Sequence, residues 1–241
     1  MIVCHSPLRD VIKAHRKPLL LSYLNNKQIV MSVSMDLVND FRKLEKYYNK
    51  IPKSERLFKD IDNMLFDRFK VYQIDDYYRM TITKDGFVAT ANCYKKARPL
   101  EMADKELLLN TGQIPKRGRK FREERWRENI KSIKGGRFFG VLDQDRVKSW
   151  ASVDPIECGG GNINVWTAEK HRKKGYGKMV VFAAVQWCLE HDILPIYWVR
   201  QDNKASIALA KSLGFAMKNK EIVVSHWPGD AFDKYKKYDR S

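Results

Sequence analysis

The chain has 241 residues, 44% of them apolar, enough for one large core or for a domain with an extension. Forty-six Lys and Arg against 29 Asp and Glu give a formal net charge of +17, a field that attracts polyanions and repels cationic ligands. No apolar run approaches the ~18 residues of a membrane span, the first ten residues lack the order of a signal peptide, and Cys4, Cys93, Cys158 and Cys188 show no CxxC spacing, so a cytoplasmic protein with free thiols and no structural zinc is expected.

In chain order, residues 29–34 (IVMSVS) read as a strand. Leu37, Phe41, Leu44 and Tyr48 recur at helical spacing and predict a helix over 35–48. Ser54 is placed to cap a second helix running to about Phe69, with Leu57, Ile61, Leu65 and Phe69 on one stripe. In YYRMTITKDGFVATANC, two strand-like runs flank Lys84-Asp85-Gly86, a hairpin signal. Residues 94–118 read as loop with a short helical piece near KELLLN. A strong helix over 120–134 stops at Gly135-Gly136. Three short strands follow at 137–143, 146–154 and 162–168, spaced as an antiparallel meander. After the loop HRKKGYGK come a long apolar helix from Tyr176 to His191 and a buried strand over 193–199. A helix capped by Asn203 and closed by Gly214 precedes a last strand over 221–227. The class is mixed α/β, of the α+β kind. The organisation expected is an extension over 1–86, a core over 87–227 and a basic tail over 228–241, with a core starting at Ile29 as the alternative.

The loop at 171–178 puts Arg172, Lys173 and Lys174 directly before Gly175 and Gly177. A strand, a glycine loop and a helix make an anion site, because the first helical amides and the helix dipole favour a phosphate. Glycine lets phosphate oxygens reach the backbone, and neighbouring cations add charge-assisted hydrogen bonds. The pattern is neither Walker A nor GxGxxG. It reads Arg172-x-x-Gly175-x-Gly177, and some thirty residues on come a strand, Asn203 and ASIALAKSLGF.

In these two motifs, over residues 162–215, the sequence resembles the GCN5-related N-acetyltransferase superfamily. The resemblance implies a mostly antiparallel central sheet, flanked by helices, whose fourth and fifth strands splay apart. It implies an acyltransferase using acetyl-CoA or another acyl-CoA. The backbone of Arg172, Lys173, Lys174, Gly175, Tyr176 and Gly177 would take the CoA pyrophosphate. Thr167 and Ala168 would bind the pantetheine arm and polarise the thioester, with Asn203 at the end of that arm. Many members carry a tyrosine four residues before the glycine of LGF, and here that position is Ala210. Tyr197, Ser206 and His171 are therefore the candidates for an acid, and Asp154, Glu157 and Glu169 for a base. Trp166 is a candidate to stack on a flat substrate, or an ordinary core residue.

A protein at +17 repels cationic acceptors, so the acceptor expected is a nucleic acid. Lys116, Arg117, Arg119, Lys120, Arg122, Arg125 and Arg127 interleave with Phe121 and Trp126, cations for phosphates and rings for bases. A solvated amphipathic helix fits the same residues. Both tRNA or aminoacyl-tRNA acylation and DNA-base modification remain open, the second because length and basicity resemble the phage Mom branch. The rivals are a small-molecule N-acetyltransferase with a basic surface and a non-catalytic CoA- or nucleic-acid-binding module. The oligomeric state, homodimer included, is left open.

Overall fold

The computed structural model describes residues 1–10, 16–24, 28–49, 55–87, 97–110, 119–157 and 159–226. The elements are β1 (Ile2–His5), the single turn α1 (Pro7–Asp10), β2 (Arg16–Tyr23), β3 (Ile29–Val33), α2 (Val38–Tyr48), α3 (Glu55–Phe69), β4 (Tyr72–Thr81), β5 (Ala97–Pro99) and α4 (Lys105–Leu109). Then come α5 (Arg119–Lys134), β6 (Phe138–Leu142), β7 (Val147–Glu157), β8 (Gly160–Thr167), α6 (Tyr176–Glu190), β9 (Leu194–Arg200), α7 (Lys204–Ser212) and β10 (Ala216–His226). The chain forms two compact units, residues 1–78 with 219–241, and residues 79–218.

In the first unit β1 lies parallel to β3, and β2 pairs antiparallel with β3 on one side and with β10 on the other. The helical stripes read from the sequence are the buried ones. Leu37, Phe41 and Tyr48 join Leu57, Ile61, Leu65 and Phe69 in one core with Met31 and Val33 of β3. Two strands went unassigned in the sequence, β1 and β2. In β2, two cations and Pro18 precede the apolar run, which masks a strand whose Leu19 and Leu21 are fully buried.

In the second unit β6, β7 and β8 form the expected antiparallel meander, β5 adds antiparallel to β6, and β9 joins β8 in parallel. The meander's last connection is shorter than the sequence suggested, because β7 continues to Glu157 through a register shift between Val153 and Ile156. The loop read over 94–118 contains the strand β5 as well as α4. The second run of the hairpin at 84–86 and the basic tail lie outside the described residues. Leu108, Leu109, Trp126, Ile133, Phe138 and Trp150 form one core cluster, while α6 buries Val180, Val181, Phe182, Ala184, Val185 and Cys188.

The LGF of the second motif has a mechanical explanation. Leu213 ends α7, Phe215 N–H bonds to Ala210 C=O at 3.1 Å, and Gly214 N–H bonds to Lys211 C=O at 3.0 Å. This is a Schellman termination, which needs a left-handed residue at Gly214, whose φ is +99°. A Cβ there would lie 2.1 Å from the carbonyl oxygen of Gly86. Gly214→Ala is therefore expected to lower stability by about 2 kcal/mol or more, from strain plus collision. A denaturant midpoint equal to that of the wild type would refute this account of the turn.

Candidate active site

The site begins where two strands part. β8 and β9 pair only at Gly160–Leu194, Gly161–Pro195 and Asn162–Ile196, although β8 runs on to Thr167 and β9 to Arg200. On the other side β8 stays paired with β7 to its end, and the Ala168 N–H donates to Lys148 C=O at 2.9 Å. Antiparallel pairing alternates. With Ala168 bonded to β7, the even residues of β8 face β7, and the amides of Val165 and Thr167 face the gap that β9 has left. The Ala168 N–H, expected with Thr167 to serve the pantetheine arm and the thioester, is thus already used by β7. Val165, which the sequence reading missed, instead has its amide on the side of the gap.

Thr167 is held rigidly. The Ser149 hydroxyl donates to the Trp166 carbonyl at 2.9 Å, so its oxygen is free to accept the Thr167 hydroxyl at 2.8 Å. Ser149 is fully buried and also went unnoticed in the sequence.

The chain then makes one 3₁₀ turn, Glu169–His171, and enters the basic loop. Gly175 has φ +80° and serves as the N-cap of α6 with no side chain covering the helix end. The first intrahelical bond runs from Met179 N–H to Gly175 C=O at 3.1 Å. The amides of Tyr176, Gly177 and Lys178 thus have no intrahelical acceptor and open toward the loop. Arg172, Lys173 and Lys174 are exposed beside them. At Gly177 a Cβ would lie 3.2 Å from Thr167 Oγ1 and 3.5 Å from Leu209 Cδ2. The start of α6, the end of β8 and the middle of α7 therefore meet at this glycine, which joins the two motifs in space.

On α7, Asn203 accepts the Ser206 N–H at 3.0 Å through its side-chain oxygen, the cap read from the sequence. The Tyr197 hydroxyl and Ser206 Oγ lie 2.7 Å apart. Tyr197 is 2% exposed and follows directly on Ile196, the last paired residue of β9. Burial raises its pKa above the usual 10, against a smaller opposite effect of the Ser206 bond, so the phenol stays protonated at neutral pH. Ala210, one turn after Ser206 on the same face of α7, is fully buried.

His171 stands elsewhere. Its ring meets that of Tyr176 edge-on at 6.1 Å, beside Lys148. Burial, then Lys148, Lys170 and Lys174, lower its pKa, so it is neutral at pH 7 and suited to accept a proton rather than to give one. Among the described residues no contact joins it to Tyr197 or Ser206. Of the base candidates, Asp154 pairs with Arg137 at 3.0 Å and Glu169 is exposed.

The nucleic-acid stretch changes most. Trp126 is 5% exposed and packs in the core with Leu108, Ile133 and Phe138, so it is not a platform for bases. Arg127 is exposed, while Arg122 is half-buried with its Nε enclosed. Lys116 and Arg117 lie outside the described residues, as do the side chains of Arg119, Lys120 and Arg125. Trp166 is half-buried against the same core as Trp150.

Known proteins share this fold. The model of the GNAT acetyltransferase family matches residues 31–223, a span that includes α2, α3 and the whole candidate site. The uncharacterized N-acetyltransferase YobR of Bacillus subtilis is 29% identical over 80 residues, which are 33% of this chain and 32% of that protein's length. A GNAT-family acetyltransferase from Colwellia psychrerythraea superposes with a TM-score of 0.52 at 10% identity, over 69% of this chain and 61% of that one. A GCN5-related N-acetyltransferase from Sphaerobacter thermophilus gives 0.51 at 14% identity, over 71% and 57%. The two structures share the fold, and the family match covers most of the chain, so the chain belongs to the GNAT acetyltransferase family.

Proposed function

We propose that the protein transfers an acyl group from an acyl-CoA, acetyl-CoA foremost, to an amine, and that the amine is carried by a nucleic acid. One observation carries the donor part. Residues 165–178 present two unpaired strand amides and then, within one loop, the open amino end of a 15-residue helix.

The residues fit that donor. The amides of Tyr176, Gly177 and Lys178 suit a pyrophosphate, and Gly177 lets the start of α6 close against Thr167 and Leu209. The free edge of β8 suits the alternating amides of a pantetheine arm, which can pair as a strand would. An acyl-CoA supplies a thioester carbon open to attack by an amine. In this reading an amide of the gap, Val165 or Thr167, donates to the oxygen that gains charge in that attack. In this reading the Ser206 hydroxyl, hydrogen-bonded to the Tyr197 hydroxyl at 2.7 Å, meets the sulfur as the carbon–sulfur bond breaks.

Charge supports the acceptor part. An excess of +17 is larger than a CoA ligand alone calls for and favours a polyanion, either a tRNA or DNA. Burial of Trp126 removes one element of that reading and gives the small-molecule acceptor its best support.

Gly177→Glu is expected to abolish acetyl-CoA binding in calorimetry while the far-UV spectrum is kept, and wild-type affinity in that variant would sink the donor site. Ser206→Ala is expected to lower kcat for thiol release by roughly tenfold to a hundredfold, with Tyr197→Phe in the same direction and KM nearly unchanged. If only KM moves, the pair binds the donor and takes no part in the chemistry. Binding to duplex DNA should fall with salt at a log–log slope of about −0.9 for each phosphate neutralised. Replacing Arg119, Arg122 and Arg127 by Ala should flatten it by up to roughly 2.7. Anisotropy titrations on duplex, single strand and tRNA test this, and binding no tighter than that of a generic basic protein would leave the small-molecule enzyme.

A further inference from the structure

The proposed reaction leaves one cluster of charge unused. Lys148, at the start of β7, holds its ammonium 5.6 Å from the centre of the Tyr176 ring and 2.8 Å from the Asp143 carboxylate. The His171 ring meets the same Tyr176 at 6.1 Å. Lys170 adjoins His171 in the 3₁₀ turn, and Lys174 follows in the loop. Two separate stretches of chain, 143–148 and 169–174, thus bring basic groups to the residue that opens α6. The acids nearby are Asp143, Asp145, which pairs with Arg146, and Glu169. Residues 143–148 and 169–174 carry six Lys and Arg against three carboxylates. Burial first, and then Lys148, Lys170 and Lys174, lower the pKa of His171, with Asp143 acting in the opposite direction.

A surplus of flexible ammonium groups beside an aromatic ring suits a compact dianion rather than a planar carboxylate, for which arginine is the better partner. The pyrophosphate of the donor has its own seat in the α6 amides. CoA carries one more phosphate, a monoester on the ribose that bears the pyrophosphate, with close to two charges at neutral pH. We infer that Lys148, Lys170, His171 and Lys174 form a subsite for that phosphomonoester, and that the protein thereby selects CoA over its dephospho form. The inference rests on the acyl-CoA reading above and deepens it.

The test is calorimetry with acetyl-CoA and with 3′-dephospho-acetyl-CoA, on the wild type and on Lys148→Met, Lys170→Gln and Lys174→Gln. The wild type is expected to prefer acetyl-CoA by about tenfold or more, the worth of a charge-assisted hydrogen bond. Each variant is expected to lose part of that preference by weakening acetyl-CoA alone, so its affinity for the dephospho ligand also reports that it is folded. Equal affinity of the wild type for both ligands overturns the subsite and leaves the donor reading standing. Variants that weaken both ligands equally overturn it as well, because the lysines would then serve the pyrophosphate. If neither ligand binds, the donor reading itself fails and the subsite with it.

Discussion

The candidate site depends on the early separation of β8 from β9. Three paired positions hold the strands together at one end, and beyond Asn162 and Ile196 the ladder stops. A sheet interior has no reason to leave amides unpaired, since each unmet donor away from water costs about 1–3 kcal/mol. Here the unpaired amides are those of Val165 and Thr167, both half-buried, on the strand that leads straight into the basic loop. Such a gap can be filled by a ligand that offers peptide-like groups at strand spacing.

The neighbours of the gap keep it in place. β7 holds β8 to its last residue, and the bond from Ala168 N–H to Lys148 C=O fixes the point at which the chain leaves the sheet. Ser149 pins the side chain of Thr167 from the buried face. Gly177 then brings α6 against Thr167 and Leu209 with no atom to spare. Below this contact α6 is anchored by Val180, Val181 and Val185, so its amino end cannot retreat without opening a core. Preorganised dipoles act at full strength only when they do not have to move.

Much of this was legible in the sequence. The stripes of α2 and α3, the meander, the cap at Asn203 and the termination at Gly214 are local patterns, and local patterns survive the loss of tertiary context. The two glycine-linked motifs named the family for the same reason. What was not legible is non-local. Nothing in NINVWT says that pairing with β9 ends after Asn162, so Val165 looks like any strand valine. Ser149 gives no signal before β7 is laid beside β8. Trp126 sits among cations in sequence, and only the packing of α5 shows that it faces Phe138 rather than solvent. A basic stretch and an amphipathic helix have the same composition, and burial alone separates them.

The groups proposed above to hold the donor are backbone atoms. The amides of Val165, Thr167, Tyr176, Gly177 and Lys178 belong to the chain itself, and almost any residue supplies one. Substitution at Val165 can change what surrounds its N–H, but among the common amino acids only proline deletes it. The number of single changes that erase such a site is therefore small. Its chemistry can persist while side chains drift, and comparisons that score side chains will see little of it.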